Sequence, residues 1–76
     1  MRYVIEVFER KTEELIFSVE IPSDRKEELK TLMNWQHPED EFDGYDLSPE
    51  QVRTLESWTN RDLNDVAHIV QLVCLE

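Results

Sequence analysis

The chain of 76 residues is long enough for one domain and too short for two. Eighteen acidic residues against eight basic ones give a formal net charge of −10, which argues against direct binding to nucleic acid or to an anionic membrane. The single cysteine, Cys74, rules out an intrachain disulfide, and the alternating N-terminal run lacks the apolar stretch of a signal peptide, so we expect a cytoplasmic protein.

Two segments near the N-terminus alternate apolar and polar residues, which is the pattern of half-buried β-strands. Residues 2–9 and 14–21 are separated only by a short polar run, which predicts an antiparallel hairpin. Its predicted inner face carries seven odd-numbered residues: Tyr3, Ile5, Val7, Leu15, Phe17, Val19 and Ile21. The opposite face would expose Val4, Phe8 and Ile16, either as a second interface or under the C-terminal segment.

Two helices are predicted after the hairpin. Ser23 is a suitable N-cap for the first helix. The start of the second helix is more strongly marked, because Ser48 can cap it, Pro49 can take the first helical position and Gln51 can complete a capping box. We therefore predict a second helix over Ser48–Asn60.

The C-terminal segment is compatible with two structures. Apolar residues at helical spacing from Leu63 to Cys74 fit a helix, whereas residues 68–75 are rich in β-branched side chains and fit a strand. We favour the strand, because a two-stranded sheet would be only marginally stable. The predicted fold is α+β: a three-stranded antiparallel sheet with two helices on one face, in the order β-β-α-α-β, forming a single acidic binding domain over residues 1–76.

Acidic residues concentrate between the two predicted helices and beyond. Residues 31–76 hold ten acidic and two basic side chains, and five of the eight residues from 39 to 46 are acidic. Carboxylates that pair with Lys or Arg, together with aromatic rings that fill pockets, are groups that anchor a positively charged protein partner. The candidate partner-binding residues are Glu39, Asp40, Glu41, Phe42, Asp43, Tyr45 and Asp46. Alternatively, Phe42 and Tyr45 fold back and close one end of the core.

Other kinds of chemistry receive little support from the sequence. The same loop weakly matches a calcium-binding EF-hand loop, but Glu39 is longer than the usual first Asp and a helix starts where ligands should follow, so we predict no metal and no cofactor. His68 and Cys74 would lie about 20 Å apart along the last strand, too far for a nucleophile and its base. With one glycine in the chain, no phosphate-binding loop can form. We predict that the protein is not an enzyme.

A small acidic domain in which the segment Glu39–Asp46 leads into the helix Ser48–Asn60 resembles the small immunity proteins of bacterial toxin systems. These are the cytoplasmic partners of colicin-like and contact-dependent growth-inhibition toxins. The resemblance is one of class and transfers no individual residue. It implies a one-to-one complex with a basic nuclease toxin domain, in which the active site or an adjacent surface is covered.

Two further functions remain open. A nucleic-acid-mimicking inhibitor of the phage type would also be small and acidic, and it would display rows of carboxylates over much of its surface. A regulatory subunit of a larger cytoplasmic complex would instead bind mainly through apolar contacts. Salt dependence of binding separates the first two functions from the third.

Overall fold

The computed structural model describes residues 2–37, 39–40, 43–63 and 65–75. Within these ranges four strands and two α-helices follow in the order β1 (Arg2–Glu9), β2 (Leu15–Glu20), α1 (Lys26–Met33), β3 (Tyr45–Asp46), α2 (Pro49–Thr59) and β4 (His68–Leu75). Neither of these two helices is long and apolar enough to cross a membrane. The predicted α+β class with two helices and an antiparallel sheet is confirmed.

The described residues form a four-stranded sheet rather than the three-stranded one predicted. Its order is β2-β1-β4-β3, and each neighbouring pair is antiparallel. β1 and β4 pair along all eight residues of each strand, so the C-terminal strand is confirmed. β3 adds only two residues, opposite Leu72 and Gln71, and such a short strand gives no alternation that a sequence could reveal.

The hairpin register changes near its loop. Val7 lies opposite Phe17, whereas Phe8 lies opposite Leu15, so that Ile16 is the extra residue of a β-bulge. Leu15 therefore shares the side of Phe8, and 52% of it is exposed. The prediction that Leu15 lies on the inner face is wrong, because the bulge shifts the alternation by one residue.

The core lies between one face of the sheet and the two helices. Ten buried apolar residues form it: Tyr3, Ile5, Val7, Ile21, Leu29, Val52, Leu55, Leu63, Val70 and Leu72. Leu29 belongs to α1, and Val52 and Leu55 belong to α2, so both helices pack on the same face, as predicted. Burial of this apolar surface is the main stabilising contribution to so small a domain.

The other side of the sheet, here called the open face, carries no helix of the described ranges. Its side chains from the central strands include Val4, Glu6, Phe8, Ile69, Gln71 and Val73. Val4 is only 7% exposed, contrary to the sequence-based expectation, because Glu20 and Val73 flank it on the two neighbouring strands. Phe8 is half-buried and Ile16 is 46% exposed, so apolar surface remains accessible toward the bulge.

The beginning of α2 shows the predicted capping box. Ser48 Oγ accepts the backbone N–H of Gln51 at 3.2 Å, and Gln51 Oε1 accepts the backbone N–H of Ser48 at 2.9 Å. The predicted cap of the first helix is wrong, since Ser23 begins a 3₁₀ turn without a side-chain capping bond. Both helices end at an asparagine in the left-handed conformation, Asn34 and Asn60.

Removal of the Ser48 hydroxyl tests how much the capping box contributes. We expect Ser48→Ala to lower the free energy of unfolding by about 1 kcal/mol, because the Gln51 N–H loses its acceptor. Ser57→Ala, on the exposed side of the same helix, is the control and should change stability by less than about 0.5 kcal/mol. Urea unfolding followed by far-UV circular dichroism measures both, and equal effects would contradict the assignment.

Candidate partner-binding site

The acidic loop, residues 39–46, contains all seven predicted site residues and ends in β3. Glu41 and Phe42 lie outside the described residues, so their roles stay predictions. Three carboxylates of the loop are exposed to solvent: Glu39, Asp43 and Asp46. Asp40 and Tyr45 are half-buried, unlike the three exposed carboxylates.

Asp40 holds the first part of the acidic loop in place. Its Oδ2 accepts the backbone N–H of Gln36 at 2.9 Å and that of His37 at 3.1 Å. These two hydrogen bonds to the ionised form keep the pKa of the Asp40 carboxyl below its ordinary value of 3.8. The Asp40 carboxylate is therefore engaged within the fold.

Tyr45 attaches the other part of the acidic loop to the core. Its hydroxyl donates to the backbone carbonyl of Asp40 at 2.5 Å. Its ring centroid lies 5.9 Å from that of Trp35, which in turn lies 6.1 Å from that of Tyr3. Partial burial raises the pKa of the Tyr45 hydroxyl above its ordinary value of 10.0, and the nearby Asp43 and Asp40 raise it further. This geometry favours the alternative in which Tyr45 folds back onto the core.

Asp46 connects the acidic loop to the open face of the sheet. Its Oδ1 accepts a hydrogen bond from Gln71 Nε2 at 2.8 Å, across the pair formed by β3 and β4. Two residues earlier, the backbone of Gly44 passes so close to Val73 that a Cβ there would lie 4.0 Å from Val73 Cγ1. Part of the acidic loop and the open face therefore form one continuous surface.

Positive charge is concentrated in the first part of the chain. Residues 1–30 hold six basic and eight acidic side chains, and three ion pairs lie among them: Arg2–Glu20 at 3.8 Å, Arg25–Glu28 at 2.7 Å and Lys30–Glu27 at 3.9 Å. In the part of the chain that the structure describes, Glu39, Asp43 and Asp46 have no ion-pair partner. Their negative field is therefore directed at solvent and is available to a positively charged partner.

Residues of β4 that the site prediction omits also belong to this surface. Ile69 lies opposite Phe8 on the open face, and the two line an open cavity of about 310 Å³ together with Glu13 and Gln71. The alternation within residues 68–75 is the signal that identifies Ile69 and Gln71 as neighbours on one face. The surface thus combines apolar side chains with carboxylates at its rim.

Among the described residues, His68 and Cys74 are the other side chains that the sequence offers for chemistry. His68 and Cys74 lie six residues apart on β4, and Cys74 packs against the core. Across the described ranges, no three side chains among His, Cys, Asp and Glu are grouped as metal ligands. The arrangement that is present can recognise a partner through charge and apolar contact.

Comparison with protein-family models gives a match. The profile of a family described as a domain of unknown function, DUF7683, matches residues 2–73. No curated protein and no solved structure shows significant similarity to the chain.

The pH dependence of stability tests the role of Asp40. Because its pKa is lower in the folded protein than in the unfolded chain, the ionised carboxylate stabilises the fold above about pH 4, and this contribution is lost as the pH falls through the folded-state pKa. Asp40→Ala should therefore lower the free energy of unfolding at pH 7, and the difference from the unsubstituted chain should shrink toward pH 3.

Trp35 fluorescence, recorded in a Trp58→Phe background, reports on this region because Trp35 packs against Tyr45. Glu39→Ala removes an exposed carboxylate from the same loop and should change stability little at either pH. If both alanine variants behave alike, the Asp40 carboxylate does not hold the loop.

Proposed function

The chain therefore belongs to the DUF7683 family, and we propose that this member is an immunity protein that binds and neutralises a basic nuclease toxin domain. The observation that carries the proposal is that three exposed carboxylates of the acidic loop have no ion-pair partner among the described residues, and that one of them, Asp46, adjoins the open face. A bacterial toxin system would supply the partner, and the complex would contain one copy of each chain.

Long-range attraction is the first step of the proposed mechanism. Residues 31–76 carry a net charge of −8, whereas residues 1–30 carry −2. The charge is thus uneven along the chain, and complementary fields can raise association rates from about 10⁵–10⁶ to about 10⁸–10⁹ M⁻¹s⁻¹ at low salt. Rapid association is useful to an inhibitor that must capture its toxin before the toxin reaches nucleic acid.

Short-range contacts then hold the complex together. Glu39, Asp43 and Asp46 would accept hydrogen bonds from Arg or Lys of the toxin, and such charge-assisted bonds are stronger than neutral ones. Ile69 and Phe8 on the adjoining open face would bury apolar surface against the partner. Asp46, opposite Gln71, connects the carboxylates of the acidic loop to this apolar surface, and tight protein interfaces combine buried apolar groups with polar groups at their edge.

Inhibition follows from the chemistry of the partner. A nuclease binds the phosphate backbone of its substrate through basic side chains. Carboxylates of the acidic loop would pair with those same side chains or with a surface beside them, so that the substrate is excluded. The nearly balanced charge of residues 1–30 supports a partner-specific inhibitor over a general mimic of nucleic acid, which would need carboxylates over much of its surface.

Toxicity and rescue in cells test this function directly. We expect the reading frame immediately upstream to stop growth and degrade DNA or RNA when expressed alone, and co-expression of this chain to restore growth. Growth curves and gel analysis of nucleic acid measure both effects. A harmless neighbour that does not co-purify with the chain would contradict the immunity function.

Charge reversal tests the binding surface once that complex is available. Glu39→Lys combined with Asp43→Lys should slow association with the toxin domain by about tenfold or more at low salt, because two attractive charges become repulsive. The control combines Asp24→Lys with Asp62→Lys, which changes the net charge equally at exposed positions outside the acidic loop. Stopped-flow kinetics at low and high salt compares them, and equal slowing would exclude the acidic loop as the interface.

A further inference from the structure

β2 is an edge strand of the sheet formed by the described residues, and its Ser18 and Glu20 are exposed. In the sheet order β2-β1-β4-β3 it has one neighbour, β1, and it lies at the end of the sheet opposite to β3 and the acidic loop. This edge is therefore a surface separate from the candidate site described above.

The hydrogen-bond pattern shows which backbone groups of β2 are available. Ile21 N–H donates to the Tyr3 carbonyl at 2.8 Å, so these opposed residues form a hydrogen-bonded pair. Because such pairs alternate along an antiparallel ladder, Val19 and Phe17 also direct their N–H and C=O groups toward β1. The backbone groups of the intervening Ser18, and of Glu20, point away from β1.

The side chains of β2 are incompletely covered. Leu15 and Ile16 are 52% and 46% exposed, and Phe17 and Val19 are only half-buried although they face the helices. The strand Leu15–Glu20 contains no proline, lysine or arginine, which are residues that natural edge strands use to prevent further pairing. Only the bulge at Ile16 interrupts it, so Phe17–Glu20 is a regular edge.

We propose that the free edge of β2 takes up an extended, positively charged segment of a partner protein, which adds a strand to the sheet. In such strand addition, main-chain hydrogen bonds supply affinity and alternate side chains supply specificity. Ser18 and Glu20 would provide the main-chain donors and acceptors. The inference does not depend on the immunity function, because this edge and the acidic loop lie at opposite ends of the sheet.

Charge determines the kind of segment that fits. Residues 13–20 hold three carboxylates and no basic side chain, and the whole chain carries −10, which opposes pairing with a second copy. Glu20 and Glu6 lie on the open face beside the edge. Arg2 is 3.8 Å from Glu20, but both side chains are more than half exposed, and such surface pairs contribute little.

The inner side of the edge requires a different kind of side chain. Arg61 lies 5.0 Å from the ring centroid of Phe17, so a cation already occupies the inner side and a second one would be repelled. The half-buried Phe17 and Val19 instead offer apolar contact to the segment. The segment that fits this edge therefore alternates apolar and basic residues. Its apolar residues would extend the inner face beside Phe17 and Val19, and its Lys or Arg residues would lie on the open face beside Ser18 and Glu20.

A blocked peptide of alternating valine and lysine is a direct probe of this edge. We expect it to slow hydrogen exchange of the Ser18 and Glu20 amides, which have no hydrogen-bond acceptor among the described residues, by about tenfold when its concentration is about ten times Kd. A peptide of alternating valine and glutamate is the matched control and should not protect them. Nuclear magnetic resonance resolves each amide, so that protection at the acidic loop would be recognised as a different binding mode.

Two substitutions at one position separate the main chain from the side chain. Ser18→Pro removes the outward N–H and should abolish protection by the lysine peptide, whereas Ser18→Ala keeps the N–H and should retain it. Proline is tolerated on the solvent side of an edge strand. Unchanged exchange at Val7 and Val19 would show that the proline variant still forms the hairpin.

Three results would overturn the proposal. The first is unchanged exchange at Ser18 and Glu20 in the presence of the lysine peptide. The second is equal protection by the glutamate peptide, which would remove the requirement for positive charge. The third is protection that appears without peptide and increases with protein concentration, which would assign the edge to a second copy of the chain.

Discussion

The pairing of β1 with β4 is the constraint on which the remaining structure depends. It joins residues 2–9 to residues 68–75 along eight opposed positions and forms the middle of the sheet. β2 adds to one side of this pair and β3 to the other, while both helices pack across its inner face. Bringing residues so distant along the chain together costs loop-closure entropy, and packing stabilises the contact only afterwards. The hairpin of β1 and β2 has only local contacts, so it does not by itself define the fold.

This central pair also separates the functional surfaces. Because β4 lies inside the sheet, its partner β3 carries the acidic loop to one end, and β2 forms the opposite end. The open face runs between the two ends and is bordered by carboxylates at both, Asp46 near β3 and Glu20 on β2. One small sheet thus presents two edges and a face, each with different chemistry.

The sequence was informative wherever a local pattern dictates the structure. The sequence predicts the capping box of α2 at the correct residues, because Ser48 and Gln51 each accept the backbone N–H of the other. The C-terminal strand was predicted from β-branched composition together with the marginal stability of two strands alone. The bulge at Ile16 and the short β3 were not predictable, because both arise from pairing across the sheet and neither has a local signature.

In the candidate site, too, the sequence predicts some features and not others. The accumulation of carboxylates from Glu39 to Asp46 was visible in the sequence, but composition could not show that Asp40 is engaged by backbone amides while Asp43 is exposed. Nor could it show that Tyr45 continues a row of rings through Trp35 to Tyr3. The engagement of Asp40 depends on the conformation of the nearby backbone at Gln36 and His37, which composition does not specify. The row of rings depends on contact between Trp35 and Tyr3, which are far apart in the chain.

The attachment of the acidic loop by Asp40 and Tyr45 bears on the entropy of binding. A loop that is ordered only in a complex loses conformational freedom when the partner arrives, and the measured affinity falls by that amount. Here the Asp40 carboxylate and the Tyr45 hydroxyl fix the described parts of the loop, residues 39–40 and 43–46, during folding and before any encounter. The carboxylates that these preorganised parts present would favour long residence of the bound partner, so that a modest number of contacts could sustain a durable complex.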